Sequence, residues 1–400
     1  MKESGPCLFR VTIMMIKDLD RQYVANTYAR FPLLLTHGHG SVVYDEEGKE
    51  YIDLGTGIAV NTFGVSDAEW VVAVTEQLGK LQHTSNLYYS EPCAKLAALL
   101  CERTGMKKVF FSNSGAEANE CAIKAARRWG MQNKGTEFTT IITLKQSFHG
   151  RTLTTLAATG QDVFHQDFLP LTEGFVYAEP NSMEDIIRLT SENPCCAIML
   201  EVVQGEGGVN ALNADYLASV GRFARENQLL IIADEVQIGN GRSGKLYGYM
   251  HYDLHPDIVS TAKGLGGGLP LGATLLGDQV ENIFDPGSHG STFGGNPVSC
   301  AGALSILSRL DDTMLNGVTE RSHYIFNTLQ NAKGIRSVSG LGLMIGVETE
   351  RDAGDVIADC RDRGVLVIKA KQKVRLLPAL NIPMEQLKFA MDILKEACAK

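Results

Sequence analysis

A lysine and an aspartate that each end an apolar strand, and a glycine-bearing helix start behind a third strand, are the residues best placed to do chemistry together. Lys263 closes the run DIVSTA and precedes GLGGGLPLG, whose glycines let backbone pass close to a flat ring. An amine beside a cationic ring has a depressed pKa, which suits it to act as nucleophile and base. Asp234 lies 29 residues earlier, at the end of the strand in LLIIADEVQ. A carboxylate there faces the crevice where ligands of open α/β sheets gather. Buried, it keeps a ring nitrogen protonated, which turns pyridoxal into an electron sink for a carbanion. Ser114, Gly115 and Ala116 open a helix directly after the strand KKVFF, so their N–H groups point outward and suit a phosphate. Each feature alone has a plain reading: a surface lysine, a second structural acid, a helix start capped by Ser114 and Glu117.

Those residues need a sheet to present them, and the middle of the chain supplies one. KKVFF, TTIITL, GFVYA, AIMLEVV, LLIIADEV, DIVSTA and GATLLG read as strands. They alternate with helical patterns at Ala116–Trp129, Met183–Ser191 and Ala214–Asn227, which implies an α/β layer structure around a mainly parallel sheet. The last ninety or so residues carry a helix over Met314–Leu329, strands at Ile335–Val338 and Leu343–Glu348, and a final helix from Met384. They read as a smaller α+β unit. A helix near Leu19–Ala29 and the hairpin signal SVVYDEEGKEYIDL place the first sixty residues beside that unit. The expected division is 62–306 as the large domain, and 1–61 with 307–400 as the small one. Residues 1–13 show neither periodicity nor a targeting pattern, so the natural start is expected at Met14 or Met15.

Composition narrows the partners. The chain has 400 residues, 44% of them hydrophobic, and a formal charge of −9. That balance argues against a surface that tracks nucleic-acid phosphates. No apolar run approaches the ~20 residues that span a bilayer, so no membrane contact is expected. Nine scattered cysteines, none in a C-x-x-C pair, point to reduced thiols in the cytoplasm. Cys195 and Cys196 read as small buried hydrophobes. His37 and His39 in THGHG have no third ligand in sequence view and read as a turn, so no metal is expected. Gly340, Gly342 and Gly346 suggest a dinucleotide loop, but LMIGVET after them reads as a strand where that fingerprint requires a helix.

The ordered motifs together resemble the class III, ornithine-type pyridoxal-phosphate aminotransferases from about Phe31 to Ile382. The resemblance is carried by GTGIAVN, SNSGAEANE, SFHGRT, EVVQGEGG, DEVQIGNGRSGK, AKGLGGGLPLGA, HGSTFGGNP and VRLLPALNI. It implies the fold type I transferase architecture, with a mainly parallel seven-stranded sheet in a large domain plus a smaller α+β domain. It also implies pyridoxal 5'-phosphate as cofactor, carried by Lys263 as an internal aldimine, with Asp234 on the pyridine nitrogen. Gly115 and Ala116 would bind the phosphate, Phe148 and Val236 the two ring faces, and Gln237 the ring hydroxyl. Thr292 would complete the phosphate site of a neighbouring subunit, which makes the protein a homodimer with shared active sites.

For the substrate, the resemblance gives Arg151 and Arg375 to carboxylates, a role that guanidinium geometry suits. Glu206 would pair with Arg375 while an ω-amino donor is bound and release it for glutamate or 2-oxoglutarate, and Ser291 would lie near the donor's acyl end. The reaction it favours moves the terminal amino group of N2-acetyl-L-ornithine to 2-oxoglutarate, a step of arginine biosynthesis. Ornithine, succinyl-diaminopimelate, succinylornithine and 4-aminobutyrate are the alternative donors. The chain departs from the family pattern at GVSDAEW, where a Gly-His-x-His-Pro run is common, and at EVVQ, IGNGRSG and LPALNI. Ser66 to Glu69 are therefore expected to bear on the pocket mouth.

Overall fold

The computed structural model describes residues 16–400. The start expected at Met14 or Met15 lies outside them.

All seven strand candidates enter one sheet, in the order Lys108–Ser112, Gly272–Leu276, Ile258–Thr261, Leu230–Asp234, Cys195–Leu200, Thr140–Leu144, Phe175–Ala178. Gly272–Leu276 runs antiparallel to both neighbours and the other six are parallel. Strands covered on both faces must be apolar throughout, and Cys195–Leu200 is buried at every position. The two-residue period of a strand sends alternate side chains to opposite cores. Ile198 and Leu200 pack with Ile186, Leu189, Leu217 and Val220 from helices Met183–Glu192 and Ala214–Glu226. Ala197 and Met199 meet Ala122, Ala125 and Ala126 of helix Gly115–Asn133, whose small residues let it lie close to the sheet. Cys195 and Cys196 are buried in these layers, and burial pushes their thiols up to about 11 and about 12.

The hairpin signal forms as Val42–Asp45 paired with Glu50–Asp53, turned at Gly48 with φ 81°. Asp45 Oδ1 closes the turn by accepting the N–H groups of Glu47 and Lys49 at 3.0 and 2.9 Å. Val365–Leu366 then adds in parallel to Glu50–Asp53, which ties the beginning of the chain to its end. A second antiparallel sheet runs Ile335–Leu341, Met344–Thr349, Lys373–Leu376, Ile368–Ala370. The glycine-rich stretch that suggested a dinucleotide loop is the hairpin between the first two of these strands. Among the described residues, no helix is long and apolar enough to cross a membrane.

Two local expectations change. The first helix spans Ile16–Tyr23 rather than reaching Ala29. Asn26 and Thr27 are weak helix formers, and the ion pair of Arg30 with Asp20 at 2.9 Å folds the following segment back on the helix. THGHG is a strand, not a turn: Leu35–His39 pairs with Val42–Asp45, and His37 stacks on Tyr44.

Candidate active site

The carboxyl ends of five parallel strands open on one cleft of about 610 Å³. Lys108–Ser112 leads to Ser114, Thr140–Leu144 to Phe148 and His149, Cys195–Leu200 to Glu201, Leu230–Asp234 ends on Asp234, and Ile258–Thr261 leads to Lys263. Ser114 caps helix Gly115–Asn133 by accepting Glu117 N–H at 3.2 Å. The return bond of the expected capping box goes one residue further back, since Glu117 Oε2 accepts Asn113 N–H at 2.9 Å. The cleft-lining residues Gly115 and Ala116 belong to the first helical turn, whose N–H groups have no partner within the helix. Gly115 is required by a close approach: a Cβ there would stand 2.6 Å from Val236 Cγ1.

Asp234 is 4% exposed and surrounded by donors. Its Oδ2 meets His149 Nδ1 at 2.7 Å and Asn119 Nδ2 at 2.8 Å, and its Oδ1 accepts Val236 N–H at 3.0 Å. Glu235, next in sequence, turns to the other side, where it accepts Gly248 and Tyr249 N–H at 2.7 and 2.8 Å and burial pushes it up to about 8. Lys263 stands at φ 47°, in a conformation held by its neighbours. Thr62 donates to Gly264 O at 2.7 Å, and Asn240 donates to Ala262 O at 3.1 Å. Burial lowers the Lys263 ammonium below the usual amine range; Arg375 adds to this, while Glu206, Asp234 and Glu201 pull the other way.

Arg375 is 3% exposed and pairs with Glu206 Oε1 at 2.6 Å. Gln237 joins them, accepting from Arg375 at 3.0 Å and donating to Glu206 at 3.3 Å. Burial raises the Glu206 carboxyl, but Arg375 outweighs it, helped by Lys263 and Gln237, and leaves it below the usual range. Arg151 is exposed, its guanidinium 4.4 Å from the Phe164 ring centroid and 5.6 Å from that of Phe148. Glu206, Ser291, Thr292 and Arg375 do not line the cleft themselves; Glu206 and Arg375 meet it through Gln237. Ser291 Oγ receives Asn113 Nδ2 at 3.2 Å, and Thr292 is exposed. The departure at GVSDAEW lines an adjoining pocket with Gly268, which also lines the cleft; Asp67 caps helix Ala68–Leu78 and pairs with Arg309 at 2.7 Å.

The class-III aminotransferase family model matches residues 23–398. The chain belongs to the class-III aminotransferases. It is 48% identical to an acetylornithine aminotransferase of Haemophilus ducreyi, over 98% of this chain and 100% of that one. An acetylornithine aminotransferase of Caldanaerobacter subterraneus is 42% identical over 95% and 98% of the two chains. Among solved structures, the N-acetylornithine aminotransferase of Stenotrophomonas maltophilia matches with a TM-score of 0.82 at 33% identity, covering 95% of this chain and 98% of that one. The ornithine aminotransferase of Toxoplasma gondii matches at 0.91 and 29%, covering 95% and 93%.

Class-III aminotransferases work with pyridoxal 5'-phosphate, and the cleft's chemistry suits that group. A helix start offers N–H groups to an anion, a buried carboxylate accepts from a protonated ring nitrogen, and a lysine of lowered pKa is reactive toward an aldehyde. Sequence reasoning left out Tyr28, Val60, Asn119, His149 and Glu201, all of which line the cleft. His149 and Glu201 stood inside quoted motifs, SFHGRT and EVVQGEGG, beside residues that drew attention first. Tyr28 carries no local signal, because only the tertiary fold brings its segment to the cleft.

Proposed function

We propose that the chain moves the terminal amino group of N2-acetyl-L-ornithine to 2-oxoglutarate, giving N-acetyl-L-glutamate 5-semialdehyde and L-glutamate, as a step of arginine biosynthesis. The observation that carries this reading is the Glu206–Arg375 pair, 2.6 Å apart and coupled by charge to Lys263. A guanidinium covered by its own carboxylate offers no charge to a neutral acyl-amino chain, and once uncovered it grips the second carboxylate of glutamate or 2-oxoglutarate. The acetylornithine aminotransferases related at 39–48% identity support the choice of donor.

Pyridoxal phosphate, when bound, supplies an electron sink for the carbanion left when a proton leaves the amine-bearing carbon. Lys263 would hold the cofactor through Nζ and, as the free amine, would carry the proton as general base and acid; its lowered pKa leaves more of it neutral near pH 7. Asp234 would accept a hydrogen bond from the protonated ring nitrogen and keep its proton in place. Gly115 and Ala116 give their N–H groups to the phosphate. Phe148 and Val236 cover the two ring faces. Gln237 uses one amide hydrogen for Glu206, which leaves the second for the ring hydroxyl. Arg151 takes the α-carboxylate of the donor.

Thr292 completes the phosphate site of a second copy in this reading, making a homodimer with shared sites. Its exposure beside Phe293, on a surface that also bears exposed Leu87, Tyr88 and Tyr89, supports that assembly. The cysteines of the described residues are all free thiols, which agrees with a cytoplasmic setting. A donor panel tests the substrate: acetylornithine is expected to give the highest kcat/KM, ahead of ornithine, succinylornithine, succinyl-diaminopimelate and 4-aminobutyrate. A higher value for any of the others would replace it as the donor.

A further inference from the structure

We propose that His149 is a positioning residue for the cofactor's ring: its neutral imidazole donates Nδ1–H to Asp234 and thereby selects which carboxylate oxygen is left for the ring nitrogen. This rests on the reading of the cleft as a pyridoxal phosphate site. An ionised carboxylate oxygen has about two acceptor directions. Asp234 Oδ2 uses both, on His149 at 2.7 Å and Asn119 at 2.8 Å, whereas among the described residues Oδ1 takes only the Val236 N–H. The remaining direction on Oδ1 is therefore the one available to a ring N–H.

The tautomer follows from the other side of the imidazole. His149 Nε2 is buried and has no hydrogen-bond partner among the described residues. A cationic ring would bury an unpaired N–H donor there together with its charge, which is costly. A neutral ring protonated at Nδ1 leaves only a lone pair at Nε2 and still serves Asp234. The residue is also fixed through its main chain. Its backbone N–H donates to Thr159 Oγ1 at 2.9 Å, and Asn119 spends its amide hydrogens on His149 O and Asp234 Oδ2, both at 2.8 Å.

Glu201 anchors the segment from behind. Its Oε1 accepts Phe148 N–H at 2.9 Å and its Oε2 accepts Gly205 N–H at 3.2 Å, and no cation pairs with it among the described residues. Burial pushes it up to about 7, with Asp234 adding to the rise and the two backbone amides opposing it. One carboxyl thus holds the main chain at Phe148, next to the residue that orients Asp234. The charged and titratable groups around the imidazole are Asp234 and Glu201, with Lys263 coupled to both.

The test is a pH titration of the bound cofactor's visible band in the holoenzyme, which reads a proton on the chromophore rather than turnover. His149→Asn keeps an amide N–H where Nδ1 stood, and His149→Gln moves it to the place of Nε2. The Asn variant is expected to titrate close to wild type. The Gln variant is expected to titrate about one pH unit higher, the size of one lost hydrogen bond to a charged group. The shift is upward because charge withdrawn from Oδ2 gathers on the oxygen facing the ring and favours the protonated chromophore. Cofactor dissociation is expected to rise about tenfold in the Gln variant only, again the size of one such bond. A purely structural histidine would lower thermal stability in both variants and leave the midpoint in place. Equal midpoints in wild type and the Gln variant, or equal shifts in both variants, overturn the inference while leaving the aminotransferase reading intact. A wild-type holoenzyme with no visible band overturns both.

Discussion

The two ends of the cleft are built in different ways. The end proposed for the ring and phosphate rests on backbone and short buried groups: a helix start, an aspartate held by three N–H donors, and a lysine past a strand end fixed by Thr62 and Asn240. The end proposed for the substrate rests on long side chains that have alternatives: Arg151 over aromatic rings, and Glu206 on Arg375 behind the cleft-lining Gln237. A rigid end suits chemistry that is the same in both half-reactions, and an adjustable end suits two substrates that differ in charge.

The largest expected effect lies at the rigid end. Lys263→Ala removes the base and is expected to lower kcat by more than about 10³-fold, measured as single-turnover loss of the donor amine; a loss below tenfold would break the contrast between the two ends. At the adjustable end, Arg375→Ala is expected to lower kcat/KM for 2-oxoglutarate by about 10²-fold, the value of a charge-assisted bidentate contact. Its effect on acetylornithine should be much smaller, and equal losses for both substrates would show that Arg375 does not discriminate. Glu206→Gln uncovers Arg375 and is expected to shift the ratio of kcat/KM values for glutamate and acetylornithine toward glutamate by about tenfold, in line with one hydrogen bond to a charged group.

A pH series separates the ends further. Because the folded-state pKa of Lys263 is lowered, the neutral amine persists to lower pH than in a free lysine side chain. Capture of pyridoxal phosphate by the apo-protein should fall as pH drops through that lowered value, with a midpoint below the ~10.4 of an ordinary lysine. A midpoint at the ordinary value contradicts the environment described. The smallest effect is expected away from the cleft: Asp67→Ala removes a helix cap and the Arg309 pair, costing about 1–2 kcal/mol of stability in urea unfolding with kcat unchanged.

The sequence made the rigid end readable because its chemistry is tied to strand ends and a helix start, features that leave local marks around Ser114, Asp234 and Lys263. The strand candidates were legible for the same reason, each being a short apolar run bounded by polar residues. His149 and Glu201 were not. A buried histidine and a buried glutamate carry the same letters as surface ones, and their partners lie 85 and 53 residues away along the chain. Tyr28 and the early end of the first helix depend on a segment placed by tertiary contacts such as Arg30 with Asp20. The departure at Ser66–Glu69 was visible as a difference, but only the structure shows that it serves a helix cap and an ion pair.

The most direct test of the central claim, that one cleft serves two substrates of different charge in turn, is the visible spectrum of the holoenzyme under alternating additions. N2-acetylornithine alone is expected to bleach the band with release of one semialdehyde per site, and 2-oxoglutarate alone is then expected to restore it with release of one glutamate. A band that no ω-amino donor bleaches, or that 2-oxoglutarate does not restore, contradicts the account.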